Sequence, residues 1–160
     1  MKKIVLGISL LIAAMTCNAG DSKFIQFALK QAHDRGFMGC DAAITSAFEN
    51  AGGDDIRVNT QLFDDTKNDS LKLTATYGSK GDSVFLEVEL RTHAGKCFMT
   101  KTSVITSTKS CTAYASEMKA FEFVAETADY VWTQNKGGVI MLLKPLNGGC
   151  ITTFQRGNYF

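Results

Sequence analysis

The 160-residue sequence has little proline and histidine, with one proline and two histidines, and no low-complexity run. It therefore offers no proline-rich or repetitive linker between domains. Charge is nearly balanced, with 17 lysines and arginines against 16 aspartates and glutamates. This balance gives no electrostatic reason to expect a nucleic acid or an anionic membrane as partner. The length suits one domain that buries its own core.

Sequence patterns of common catalytic and cofactor sites are also missing. The chain has no Gly-x-Ser-x-Gly segment and no glycine-rich phosphate loop between a strand and a helix. The acidic stretch 64–69 lacks the central glycine and terminal glutamate of an EF-hand. No two cysteines lie within four residues of each other, which argues against a zinc site. We therefore expect neither a metal nor an organic cofactor.

The N-terminus has the three-part pattern of a secretory signal peptide. Lys2 and Lys3 precede an apolar run, 4–15, that is shorter than the roughly 20 residues needed to span a bilayer. We predict cleavage after Ala19, so that 1–19 is the signal peptide and 20–160 is one mature domain in the periplasm or outside the cell. Cleavage removes two lysines and no acid, which leaves 15 basic residues against 16 acidic ones.

Cys17 allows a competing interpretation of the same segment. A cysteine just after an apolar run is where a lipoprotein carries its lipid. The preceding residues, Ala14-Met15-Thr16, lack the large aliphatic and small residues usual before a lipidated cysteine. Cleavage after Ala19 is therefore favoured over lipidation of Cys17.

Four cysteines remain after cleavage: Cys40, Cys97, Cys111 and Cys150. In an oxidising compartment an even number of cysteines predicts two disulfides, and four cysteines allow three pairings. We prefer Cys97 with Cys111, which closes a short loop. The second bond would then join Cys40 to Cys150 and tie an early helix to the last strand.

Helical periodicity occurs twice near the start of the mature chain. A first helix, capped by Asp21 or Ser22 and ended at Gly36, has an apolar side formed by Ile25, Ala28, Leu29 and Ala32. A second helix, capped by Asp41, has a stripe at the i, i+3, i+4, i+7 spacing formed by Ile44, Ala47, Phe48 and Ala51. Cys40 lies one turn before Ile44, so its sulfur should point toward the same core.

From Asp55 onward the pattern alternates with a period of two, which is typical of strands with one wet face. Short turns rich in glycine, aspartate and asparagine separate the runs, so neighbouring strands should be antiparallel. The predicted fold is α+β: two N-terminal helices packed on a curved antiparallel meander sheet of about seven or eight strands. A cystatin-like or cone-shaped sheet and a small barrel both fit this prediction.

Both histidines are candidate acid–base residues, but neither has an evident partner. His33 is followed by Asp34, and adjacent helical side chains point about 100° apart, so the two do not form a working pair. His93 lies at a hairpin tip, where polar residues are ordinary. A small exported hydrolase that uses His33 or His93 with a carboxylate is the alternative functional hypothesis.

The preferred hypothesis is an exported, non-enzymatic protein-binding domain. On one predicted strand Phe85, Glu87, Glu89, Arg91 and the terminal His93 project to the polar side. Aromatic residues and arginine on a sheet surface are typical anchors of protein interfaces. Further aromatics with the same potential, which could equally form the core, are Tyr130, Trp132, Tyr159 and Phe160. An inhibitor or immunity protein against an enzyme or toxin directed at the cell envelope would fit this profile. The sequence does not indicate the partner or the oligomeric state.

The predicted disulfides are tested by thiol labelling. We expect that the mature protein, isolated from the periplasm and denatured without reductant, takes up no maleimide label at its four cysteines. Modification of two or more cysteines before reduction would contradict the prediction, and labelling after reduction is the positive control.

Overall fold

A computed structural model describes residues 22–66, 68–80 and 82–160. The predicted signal peptide, Cys17 and Asp21 lie outside these described residues. Within them, no helix is both long and apolar enough to cross a membrane.

The described chain contains three α-helices, eight β-strands and one turn of 3₁₀ helix at Asp64–Thr66. The helices are α1 (Ser22–His33), α2 (Asp41–Phe48) and α3 (Cys111–Glu117). The strands are β1 (Asp55–Gln61), β2 (Ser70–Ser79), β3 (Asp82–His93), β4 (Lys96–Ser107), β5 (Phe121–Thr127), β6 (Tyr130–Asn135), β7 (Ile140–Leu146) and β8 (Gly149–Tyr159). The fold is therefore α+β, as predicted, with a third helix between β4 and β5.

All eight strands form one antiparallel sheet with the order β1-β2-β3-β4-β8-β7-β6-β5. Each group of four consecutive strands is a meander, and the two meanders join where β4 pairs with β8. Because β1 and β5 are both edge strands, the sheet is open and the predicted barrel alternative is wrong. The connection between β4 and β5 is longer than the other turns between strands, because it contains α3.

The helices cover one face of the sheet, and the predicted alternation sends apolar residues to that face. Residues of α1 and α2 form one buried cluster with the inward residues of β2, β3 and β4, which include Leu71, Leu73, Ala75, Leu86, Val88, Leu90 and Met99. A second cluster forms beneath α3 and contains Cys111, Met141, Leu143 and Cys150. The predicted stripe of the second helix is buried as expected, although α2 ends at Phe48 and leaves Ala51 in the following loop.

The start of α2 differs from the prediction by one residue. Cys40 occupies the cap position and Asp41 is the first helical residue, with its carboxylate in the first turn. A negative charge there interacts favourably with the positive end of the helix dipole. Cys40 is buried, as its position one turn before Ile44 predicted.

All four predicted cysteines form disulfides, but the preferred pairing is wrong. The bonds join Cys40 to Cys97 and Cys111 to Cys150. Cys97 is the second residue of the 12-residue strand β4, and Cys111 comes after that strand ends. An extended strand rises about 3.3 Å per residue, so β4 separates these two cysteines far beyond disulfide reach.

The disulfides also show that the two halves of the chain have the same plan. In each half a cysteine at the start of a helix is bonded to the second residue of the fourth strand of a meander. The hairpins β3–β4 and β7–β8 both turn through two residues, at 94–95 and 147–148. Four residue types recur at matching positions, namely Leu90, Gly95, Cys97 and Thr100 in the first hairpin and Leu143, Gly148, Cys150 and Thr153 in the second, and a basic residue recurs at a fifth, Arg91 and Lys144. Sequence inspection alone did not reveal this internal repeat.

The register of β4 with β8 relates the halves by a local two-fold axis. Thr102 pairs with Gln155, and each lies five positions after the cysteine of its own strand. Equivalent residues therefore face each other across the centre of the sheet. The repeated unit is thus a helix with four strands, joined to its second copy through the fourth strands.

Two cations near this axis bind the C-terminal end of α2. Lys101 Nζ donates a hydrogen bond to the Ala47 carbonyl at 2.6 Å, and Arg156 donates to the Ser46 hydroxyl at 3.2 Å. Arg156 also lies 3.6 Å from a Glu49 carboxylate oxygen. The last carbonyls of a helix lack intrahelical donors and carry partial negative charge, so both contacts hold α2 on the sheet centre. Burial lowers the pKa of Lys101 to about 8, and the charge of Arg156 acts in the same direction.

This lowered pKa predicts how stability depends on pH. The unfolded lysine keeps its proton up to about pH 10.5, whereas the folded one loses it near pH 8, so the free energy of unfolding should rise between these values. Between pH 7 and pH 10 the free energy of unfolding of the wild type should rise by roughly 2 kcal/mol relative to that of Lys101→Met, as measured by urea unfolding. Lys119→Met, which also removes a lysine but an exposed one, is the control variant. A difference between wild type and Lys101→Met that stays constant from pH 7 to pH 10 would contradict the prediction.

Candidate protein-binding face

The five side chains predicted to form a binding surface lie on the sheet face opposite the helices. Because Val84, Leu86, Val88 and Leu90 point to the helix-covered side, alternation turns the intervening residues of β3 the other way. We call this second side the open face, since none of the three described helices packs on it. Phe85 is 40% exposed there, and His93 stands at the end of the strand.

An apolar row crosses the open face at right angles to the strands. Phe85 pairs with Val104, Val104 with Thr153, Thr153 with Leu142 and Leu142 with Trp132. The indole nitrogen of Trp132 donates a hydrogen bond to the Thr127 hydroxyl at 3.1 Å, which fixes the ring on this face. The row therefore places aliphatic and aromatic side chains of four strands in one line, with the threonine of β8 between them.

Around this row lies a central patch with no charged residue. Its members are the outward residues of β4, β8, β7 and β6 in this row and in the adjacent one, namely Thr102, Val104, Thr153, Gln155, Ile140, Leu142, Trp132 and Gln134. Loss of charge at the centre, with charge at the rim, distinguishes protein interfaces from other surface. The rim residues include the ion pair of Lys72 with Glu87, whose atoms lie 2.7 Å apart, and Lys144 on the other side.

One end of the open face contains a cleft of about 480 Å³. Glu89, Thr100 and Gly157 form one row across it, while Arg91, Phe98 and Tyr159 form the next. The rings of Phe98 and Tyr159 are 43% and 73% exposed, and Lys96 Nζ lies 5.8 Å from the Tyr159 ring centre. We call this site the corner cleft. It brings Glu89 and Arg91 of the predicted surface together with two aromatic rings.

Sequence reasoning missed several residues of this face. It named the β3 residues, Trp132 and Tyr159, but not Phe98, Val104, Leu142 or Gly157. These four belong to strands that meet β3 or each other only through the sheet register. The matching hairpins offered a usable signal, because Phe98 and Ile151 occupy the same position after the two half-repeat cysteines.

The histidines proposed for acid–base chemistry lie elsewhere. His33 Nε2 is 2.8 Å from Asp41 Oδ1, whereas Asp34 pairs with Lys30. Within the described residues the His33 ring has hydrogen-bond geometry to Asp41 alone, so this pair offers the carboxylate but no adjacent nucleophile. The contact joins the end of α1 to the start of α2, where the Asp41 carboxylate suits the positive end of the α2 dipole. His93 lies in a shallow depression with Asp69.

No protein-family model, curated protein or solved structure matches this chain.

The exposure of the corner-cleft aromatics predicts a small role in folding. Phe98→Ala should cost about 1 kcal/mol or less in the free energy of unfolding, because the ring is already partly in water. Phe48→Ala, which removes a fully buried ring, should cost about 3–5 kcal/mol. Urea unfolding of both variants measures these two losses in the free energy of unfolding. Equal losses would place Phe98 in the core and remove it from the candidate site.

Proposed function

We propose that this chain is an exported, non-enzymatic domain that binds a protein partner through its open face. The observation that carries the proposal is the uncharged central patch, an apolar row across five strands that is rimmed by charged residues. Its residue types are those that anchor interfaces, with an aromatic ring at each end of the row, Phe85 and Trp132.

A macromolecular protein partner fits this face better than the other classes. Nucleic acids require clustered cations, whereas the patch is uncharged and the whole chain is nearly neutral. Small molecules require concave sites that bury most of their surface. A row of side chains spread over five strands offers instead a broad surface of the kind that a protein covers.

The disulfides support the proposed compartment. Two disulfides tie helices to strands, and such bonds persist in oxidising compartments such as the periplasm or the exterior. Cross-links that hold helix and sheet together also reduce the ordering cost of binding. We include in the proposal a role as an inhibitor or immunity protein against an enzyme or toxin directed at the cell envelope. Export, small size and a rigid binding face are the features that support this role.

The proposal is tested with the tagged chain 20–160 and a matched pair of charge insertions. Leu142→Asp places a carboxylate in the central patch, whereas Asn59→Asp places one on the exposed edge strand β1, off the row that ends at Phe85. Wild type and both variants are incubated with extract of the native cell envelope, and captured proteins are quantified by mass spectrometry. We expect at least one protein to be captured equally by wild type and Asn59→Asp and at least tenfold less by Leu142→Asp.

The control for this experiment is the fold of the variants. Circular dichroism and thermal unfolding must show that Leu142→Asp remains folded; Leu142→Asn replaces it where it does not. Captured proteins that are indifferent to both substitutions at position 142 would contradict binding through the central patch.

A further inference from the structure

The corner cleft lies beside a free stretch of strand edge. β7 begins at Ile140, which pairs with Gln155, so the residues of β8 beyond Gln155 have no strand from β7 beside them. On their other side they continue to pair with β4, as far as Tyr159 opposite Phe98. The part of β8 after Gln155 therefore has a free edge on the side of β7, at the same end of the sheet as the cleft. We call this free edge the notch.

The main-chain hydrogen bonds show which groups face this notch. Phe160 and Cys97 exchange both of their main-chain hydrogen bonds, at 2.8 and 3.0 Å. In an antiparallel ladder such pairs alternate with pairs whose N–H and C=O groups point away from each other. Counting back along β8, Asn158 faces β4, whereas Gly157 and Tyr159 direct their N–H and C=O groups toward the notch.

Gly157 has no side chain to fill the cleft, although the backbone conformation there does not require glycine. Its φ lies outside the left-handed region, and a Cβ built on it would approach one neighbour only, the Met99 carbonyl, at an ordinary 3.8 Å. A larger residue is therefore compatible with the strand. Glycine in a strand commonly marks a place where a ligand or another backbone comes close.

The side chains around the notch favour an acidic group. Lys96 Nζ lies 5.8 Å from the centre of the Tyr159 ring, which belongs to β8 itself. Tyr159 is 73% exposed, so a side chain of an added strand can approach both the ring and this cation. Arg91 and Glu89 line the far side of the cleft on β3, which β4 separates from β8. A carboxylate is therefore favoured beside Lys96.

We propose that a partner protein lays an extended segment along the free edge of β8, paired with the main chain of Gly157 and Tyr159. The segment places an acidic side chain against Lys96, beside the ring of Tyr159. Strand addition supplies main-chain hydrogen bonds, and the flanking side-chain site supplies specificity. This inference rests on the proposed function, because it names the segment by which a partner would engage the open face.

The test uses a random heptapeptide library displayed on phage and panned on the chain 20–160. We expect selected peptides to carry Asp or Glu within an otherwise β-prone sequence. Synthesised as free peptides, they should bind Gly157→Val and Lys96→Glu at least tenfold more weakly than wild type. Thr106→Val, an outward position on β4 at the opposite end of the sheet, is the matched control and should bind as wild type does.

Amide exchange measured by NMR gives a readout specific to strand addition. In the free protein the amides of Gly157 and Tyr159 should exchange faster than that of Asn158, and bound peptide should protect the first two. Peptides that bind Gly157→Val as well as wild type, or that leave the two amides unprotected, overturn the inference.

The outcomes also separate this inference from the proposed function. Selected peptides that perturb Trp132 and Leu142 and ignore Gly157→Val would overturn the notch while supporting the central patch. Capture from the envelope that is insensitive to Leu142→Asp, together with peptides that do depend on Gly157, would overturn the central patch and support the notch.

Discussion

The antiparallel pairing of β4 with β8 is the contact on which the rest of the structure depends. It joins the two meanders, from the pair Phe98–Tyr159 to the pair Ser107–Cys150. Without it, each half would expose the fourth strand of a small sheet, and such units are marginal alone because little apolar surface is buried. The pairing is symmetric about Thr102 and Gln155, as expected where two copies of one unit meet through equivalent strands.

The two sides of this ladder have different chemistry. On the helix-covered side, Lys101 donates to the Ala47 carbonyl and Arg156 to the carbonyl and hydroxyl of Ser46 at the end of α2, so charge there serves the fold. On the open side, the neighbouring Thr102, Val104 and Gln155 are uncharged and lie in the central patch. A strand alternates faces residue by residue, so one short segment of sequence contributes to both helix anchoring and the candidate interface.

The disulfides add a constraint that works with the ladder. Each bond holds the first turn of a helix against the start of a fourth strand, β4 in one half and β8 in the other. The helix position is thus set at one end by a covalent bond and, for α2, at the other end by two cations. Both sheet faces are thereby held rigid, which suits a domain that binds with its sheet surface.

Much of the local structure could be predicted from sequence, because local structure depends on nearby residues. Alternation along β2 and β3 correctly separated Leu71, Leu73 and Leu86 from Glu87 and Glu89, and the apolar stripe of α2 was identified correctly. The same pattern placed Phe85 and Arg91 on the exposed side, which gave part of the candidate surface. It could not give the corner cleft, because Arg91, Phe98 and Tyr159 come from three strands that only the register aligns.

By itself, then, the sequence determined the two N-terminal helices, the alternating strands with the face of each of their residues, and the presence of two disulfides. The tertiary structure decided which cysteines pair, that β4 meets β8, that the chain is an internal repeat and where the free edge of β8 lies. The physical reason is separation along the chain. Periodicity records what a residue's immediate neighbours require, whereas strand order and register depend on contacts between segments tens of residues apart, and a single sequence contains no direct record of those contacts.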